Sequence, residues 1–107
     1  PADVLILPMT DDLSPAIALA TQLREAGIRT QIHGEQKKFK QKISYADKLS
    51  IPYAAFLGED EIQQNKVTVK DLTTGQQQTV TAGEAVALVQ AGLAARAGGT
   101  PIQEPEA

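Results

Sequence analysis

The sequence predicts an α/β fold: a three-layer α/β/α sandwich around a five-stranded mixed sheet of order 2-1-3-4-5, with strand 4 antiparallel and three helices. Three observations predict it. Two continuous apolar runs, VLILPM (Val4 to Met9) and YAAFLG (Tyr53 to Gly58), read as strands buried on both faces. Segments with apolar residues at helical spacing alternate with the first three strands, which implies parallel strands joined by right-handed crossovers. The rhythm then breaks into two short segments around a Gly-containing turn, the mark of a β-hairpin.

Each element has its own signal. After the first strand, DDLSP offers Ser14 as an N-cap and Pro15 at the first helical position. Ala16, Leu19, Ala20 and Leu23 then recur at helical spacing up to Gly27, well placed as the C′ glycine. IRTQIH (Ile28 to His33) alternates and suits a strand at the sheet edge. KKFKQKISYADK (residues 37–48) is expected to form the second helix, with Phe39, Ile43 and Ala46 on its inward face. KVTVKD and QQQTV flank LTTG as the hairpin, and its short links make strand 4 antiparallel to the rest. In TAGEAVALVQAGLAAR, Thr81 and Glu84 form a capping box, and Ala85, Val86, Val89 and Leu93 share one face. From Arg96 onward there is no periodicity, so residues 1–95 are expected to form the domain and 96–107 a disordered tail. Because the chain starts at Pro1 rather than Met, it is expected to be a domain of a longer protein.

Composition narrows the class. A chain of 107 residues makes one domain, burying roughly two-thirds of the surface its unfolded form exposes. Aromatics are only 4% and Trp is absent, so Ala, Ile, Leu and Val must build the core. Without cysteine there is no disulfide and no thiolate metal site, which suits a reducing cytosol. No apolar run approaches the ~20 residues of a membrane span and no signal peptide is visible, so a cytoplasmic protein without a membrane partner is expected.

Charge is distributed unevenly. The chain has 10 Lys and Arg against 13 Asp and Glu, yet residues 37–48 hold five of the ten cations and one acid, Asp47. On a helical wheel Lys37, Gln41, Ser44 and Lys48 face outward, with Lys38, Lys42 and Tyr45 along one flank. The plain reading is a solvated helix surface. A merely soluble helix, however, usually mixes signs, and a cationic cluster on an acidic protein suits a phosphate partner. GEDE (Gly58 to Glu61) follows the third strand, at the carboxyl end where open α/β sheets place ligands. Carboxylates bind phosphate poorly but accept hydrogen bonds well from a guanine Watson–Crick edge, as in recognition of unstacked RNA bases. Read alone, GEDE is more simply a hydrophilic turn leading into the hairpin, or acids at the start of a helical turn.

LREAGI, KKFKQKISYADKLSIP, LGEDE and VTVKDLTTG, in this order, closely resemble the C-terminal anticodon-binding domain of bacterial histidyl-tRNA synthetases. The resemblance runs from about Val4 to Leu93. It implies the same 2-1-3-4-5 sheet and a role in gripping the anticodon stem-loop of tRNA(His). It also maps Lys37, Lys38, Gln41, Lys42 and Tyr45, with Glu59 and Glu61, onto the RNA-facing surface. Lysines would meet phosphates, Gln41 and Glu61 base edges, and Tyr45 either stacks on a splayed base or covers the rim of the core. Two departures are Ser50, where the family often has Gly, and His33, where it often has an acidic or aromatic residue. The family's ligase chemistry belongs to a separate catalytic domain that uses ATP and Mg²⁺. This chain is therefore expected to be non-catalytic and free of cofactor, serving the catalytic domain of a homodimeric parent.

Two other readings compete. Asp11 and Asp12 after strand 1 look like the acidic pair of a receiver-type phosphorylation domain. That domain also needs an Asp ending strand 3, where Asp60 comes too late, and a Lys after strand 5, where TAG stands instead. Asp11 and Asp12 are more simply acids favoured near a helix N-terminus. A protein–protein module whose basic helix meets an acidic partner is the other alternative; salt-dependent RNA binding separates it from the RNA reading.

Overall fold

Val4–Pro8 (β1) and Tyr53–Leu57 (β3) are buried at every position, as unbroken apolar runs in a doubly covered sheet require. The computed structural model describes residues 2–33 and 50–98. Around the two buried strands stand Ser14–Glu25 (α1), Thr30–Ile32 (β2), Glu59–Gln63 (α2), Val67–Asp71 (β4), Gln77–Val80 (β5) and Ala82–Gly98 (α3). The sheet order is β2-β1-β3-β4-β5. β1 pairs parallel with β2 and β3, and β4 pairs antiparallel with β3 and β5. Order and directions agree with the sequence reading.

Strand alternation sends side chains to two cores. Val4, Ile6, Tyr53, Ala55 and Leu57 meet Leu19 and Leu23 of α1 and Ala85 and Val89 of α3. Leu5, Leu7, Ala54 and Phe56 form a second cluster on the opposite face, with Ala2 and Ile51. Of the expected helices, the first and last are α1 and α3, while α2 is the helical turn that GEDE left open. The helix expected over residues 37–48 lies outside the described residues.

Helix ends refine the sequence reading. α1 starts one residue early: Leu13 is the N-cap and Ser14 does not cap with its side chain. Asp12 takes that part, its Oδ1 accepting the Ser14 N–H at 3.0 Å in a short local turn. The other end is as expected. Gly27 has φ of 82°, and the Gly27 and Ile28 amides donate to the carbonyls of Arg24 and Leu23, a Schellman closure. At α3 the Thr81 amide donates to Glu84 Oε1 at 2.9 Å and the Glu84 amide to Thr81 Oγ1 at 3.2 Å, completing the predicted capping box.

α3 runs to Gly98, past the expected boundary at Arg96. Arg96 is held there by Thr73 Oγ1 at 3.0 Å and Asp71 Oδ1 at 3.4 Å, with its guanidinium 5.5 Å from the Tyr53 ring centre. These contacts tie the helix end to the hairpin turn, which helical periodicity alone does not reveal. Residues 99–107 lie outside the described residues. Ser50 has φ of 58°, in the left-handed region that favours glycine.

Candidate nucleic-acid interface

The carboxyl ends of the three parallel strands form one rim. The Met9 amide donates to Leu57 O at 2.9 Å and the His33 amide to Ile6 O at 2.9 Å, so the chain leaves β1, β2 and β3 side by side. Beyond β1, Met9, Asp11 and Asp12 are exposed; beyond β3, Glu59 and Asp60 are exposed and Glu61 is half-buried. Hydrogen bonding from the Ser14 amide holds the Asp12 carboxyl below its ordinary value, so Asp12 is engaged in starting α1. Among the described residues no group of three or more His, Asp or Glu side chains is arranged to hold a metal ion.

Gly58 and Glu61 define the turn at the head of α2. Gly58 is its N-cap, with extended backbone, and its amide donates to Glu61 Oε1 at 2.9 Å. This is one half of a capping box; a glycine has no side chain with which to return the bond. The second carboxylate oxygen, Oε2, accepts from Thr68 Oγ1 at 3.0 Å. A Cβ at position 58 would stand 2.9 Å from Glu61 Oε1, so glycine leaves the carboxylate room to close. Glu61, expected on the RNA-facing surface, is thus half-buried, with both carboxylate oxygens hydrogen-bonded within the domain.

Among the described residues, the sequence-predicted site is therefore only partly brought together. Glu59 and Glu61 do sit at the carboxyl end of β3. Lys37, Lys38, Gln41, Lys42 and Tyr45 lie outside the described residues, between His33 after β2 and Ser50 before β3. Sequence reasoning missed Thr68, which holds Glu61 from β4, although a Gly with Glu three residues on is itself a recognisable capping signal.

A cavity of about 830 Å³ opens at the opposite, amino ends of the strands, beside Asp3, Arg29, Ser50, Thr73 and Arg96. Its arginines are already matched with acids. Asp3 accepts from Arg29 through both carboxylate oxygens, from Nε at 3.1 Å and NH2 at 2.8 Å, and Arg96 faces Asp71. The guanidinium hydrogen bonds of Arg29 hold the Asp3 carboxyl below the usual range. Paired in this way, the described residues of the cavity offer little free positive charge to an anionic ligand.

A family model for the anticodon binding domain matches residues 3–92. The chain belongs to that family. Its similarity to curated proteins points the same way. Histidine–tRNA ligase of Clostridium tetani is 37% identical over 89 residues, covering 83% of this chain and 20% of that protein. The histidine–tRNA ligase of Bacillus licheniformis is 49% identical over 65 residues, 61% of this chain and 15% of that protein. The crystal structure of histidyl-tRNA synthetase from Nostoc sp. PCC 7120 matches 87% of this chain and 23% of its own, with a TM-score of 0.82 and 30% identity. The RNA binding domain of threonyl-tRNA synthetase from Cryptosporidium parvum Iowa II has a TM-score of 0.78 at 20% identity, a likeness of fold. This anticodon-binding domain spans about a fifth of the length of the ligases it matches. The resemblance seen in LGEDE and VTVKDLTTG thus holds at the level of family and fold.

Proposed function

We infer that this domain binds the anticodon stem-loop of histidine-accepting tRNA on behalf of a histidine–tRNA ligase. The observation that supports this reading is the anticodon-domain match over residues 3–92, joined to relatives that are histidine–tRNA ligases. The catalytic domain of the parent chain, with ATP and Mg²⁺, would carry the ligation; the parent works as a cytoplasmic homodimer, and this domain contributes grip and selection without a cofactor of its own. Lys37, Lys38 and Lys42 neutralise phosphates, Gln41 meets a base edge, and Tyr45 stacks on a base. At the rim, Glu59 offers its exposed carboxylate to donor edges of an unstacked base, and Glu61 shapes the turn that carries it.

A titration of the chain with a histidine-accepting anticodon stem-loop, beside one with a scrambled loop, tests the reading at two salt concentrations. The cognate loop should bind more tightly. Lys37→Ala and Lys38→Ala should weaken both loops alike and flatten the salt slope by roughly one unit per lost phosphate contact. Equal affinity for the two loops at both salt concentrations would sink the reading.

A further inference from the structure

Thr68 and Thr79 face each other across β4 and β5, in register, with their hydroxyl oxygens 2.9 Å apart. Thr68 is buried and Thr79 is exposed. Thr68 Oγ1 also donates to Glu61 Oε2 at 3.0 Å, and Glu61 Oε1 receives the Gly58 amide at 2.9 Å. The direction of the chain of bonds follows from what each group owns. An ionised carboxylate only accepts, and a hydroxyl has a single proton to give. Thr68 spends that proton on Glu61, so the Thr68–Thr79 bond must be donated by Thr79. The relay runs one way, from Thr79 to Thr68 to Glu61, where the Gly58 amide meets it from the other side.

We propose that Glu61 and Thr68 are positioning residues: the relay fastens the Gly58–Glu61 turn to the β4–β5 hairpin, so that Glu59 is presented to RNA from a preset backbone. The proposal rests on the anticodon reading above. α2 has five residues and none of them is fully buried, so length and core packing do little to hold its first turn. Its first turn also gathers Glu59, Asp60 and Glu61. Anchoring Glu61 inward removes one of the three carboxylates from the rim and fixes the backbone from which the remaining two project. A base edge meeting a preset acceptor loses less ordering entropy on binding than one meeting a mobile turn. The relay thus serves discrimination between bases more than overall grip, which falls to the lysines.

Thr68→Val keeps the shape and β-branching of the side chain and deletes only the hydroxyl; Thr68→Ser keeps the hydroxyl. Three quantities separate positioning from simple stability: the affinity ratio between cognate and altered-anticodon stem-loops, the hydrogen-exchange rate of the Gly58 amide without RNA, and the melting temperature. Thr68→Val should lose roughly ten-fold in affinity for the cognate loop and much less for the altered one, through lost preorganisation of the turn. Its Gly58 amide should exchange faster than in the unmodified chain, and Thr68→Ser should restore both. If the unmodified chain discriminates between the loops and Thr68→Val discriminates equally well, the positioning role is wrong while the anticodon reading stands. A Thr68→Ser variant that falls as far as Thr68→Val also overturns it. An unmodified chain that treats the two loops alike removes the anticodon reading, and the proposal with it.

Discussion

Single residues decide whether local backbone geometry is relaxed or strained. Ser50 is the plainest case, a non-glycine residue with φ of 58° just before the buried Ile51 that leads into β3. A Cβ in that region crowds the following carbonyl, which costs roughly 1–2 kcal/mol, part of it offset by the greater unfolded-state freedom of glycine. Ser50→Gly should therefore raise stability by about 1 kcal/mol, equivalent to roughly 4–8 °C in melting temperature for a domain of this size. Ser50 is exposed and its side chain fills no core space, so little is lost in exchange. A thermal melt reads the effect directly, and a Ser50→Gly melt at or below the original would show that the loop tolerates its geometry without strain. Glu61 teaches the complementary lesson. Its place in GEDE was visible from sequence, but its bonding was not, because its partner Thr68 comes seven residues later, on strand β4.

At the scale of elements, helix α3 lies on the sheet at a distance set by one glycine. A Cβ built on Gly92 would overlap the hydroxyl of Tyr53 and come within 2.8 Å of its Cζ. Tyr53 is buried on β3, so the ring has nowhere to retreat. In an exposed helix, replacing Gly by Ala gains about 1 kcal/mol; in a packed core, an inserted methyl costs roughly 1–3 kcal/mol. The second effect should win here. Gly92→Ala is expected to lower stability by about 1–2 kcal/mol, and adding Tyr53→Phe should recover part of the loss by removing the overlapping oxygen. A Gly92→Ala protein more stable than the original would mean that α3 can shift outward at no cost. The elements themselves were largely legible. Apolar runs marked β1 and β3, a turn glycine marked the hairpin, and Thr81 with Glu84 marked the start of α3, because each signal sits within a few neighbouring residues. The end of α3 was not legible, since Arg96 is held by Asp71, Thr73 and Tyr53 across the fold. Nor was the cap of α1, where Asp12 acts two residues before Ser14. As for the candidate site, topology was enough to set GEDE at the carboxyl end of β3, but not to show that Glu61 is bonded to the Gly58 amide and the Thr68 hydroxyl.

At the scale of the whole molecule, two carboxylates act as clamps between distant parts of the chain, and they shape the response to acid. Asp3 at the start of β1 receives the Arg29 amide and guanidinium from the approach to β2, and Asp71 receives Thr73 and faces Arg96 at the end of α3. Both carboxyls are held below the usual aspartate value, Asp3 chiefly by the Arg29 side chain and Asp71 chiefly by the Thr73 hydroxyl. A group whose value is lower in the folded state binds fewer protons there than in the unfolded chain. Its stabilisation is complete above the ordinary value, near pH 4, and drains away as pH falls through the folded value. Stability should therefore be flat from about pH 5 upward as far as these two groups are concerned, and should decline steadily below about pH 4. Asp3→Asn separates the clamp from general acid effects. The amide cannot carry the charge, so the variant should be less stable on the plateau by about 1–3 kcal/mol, the ordinary worth of hydrogen bonds to a charged group. Arg29 is largely exposed, with 65% of its side chain open to water, which places the loss toward the lower end of that range. The variant should also lose less on acidification than the original, so that the two curves of melting temperature against pH converge as pH falls. Parallel curves would mean that Asp3 has the same proton affinity folded and unfolded, and that the first strand is held by its burial alone.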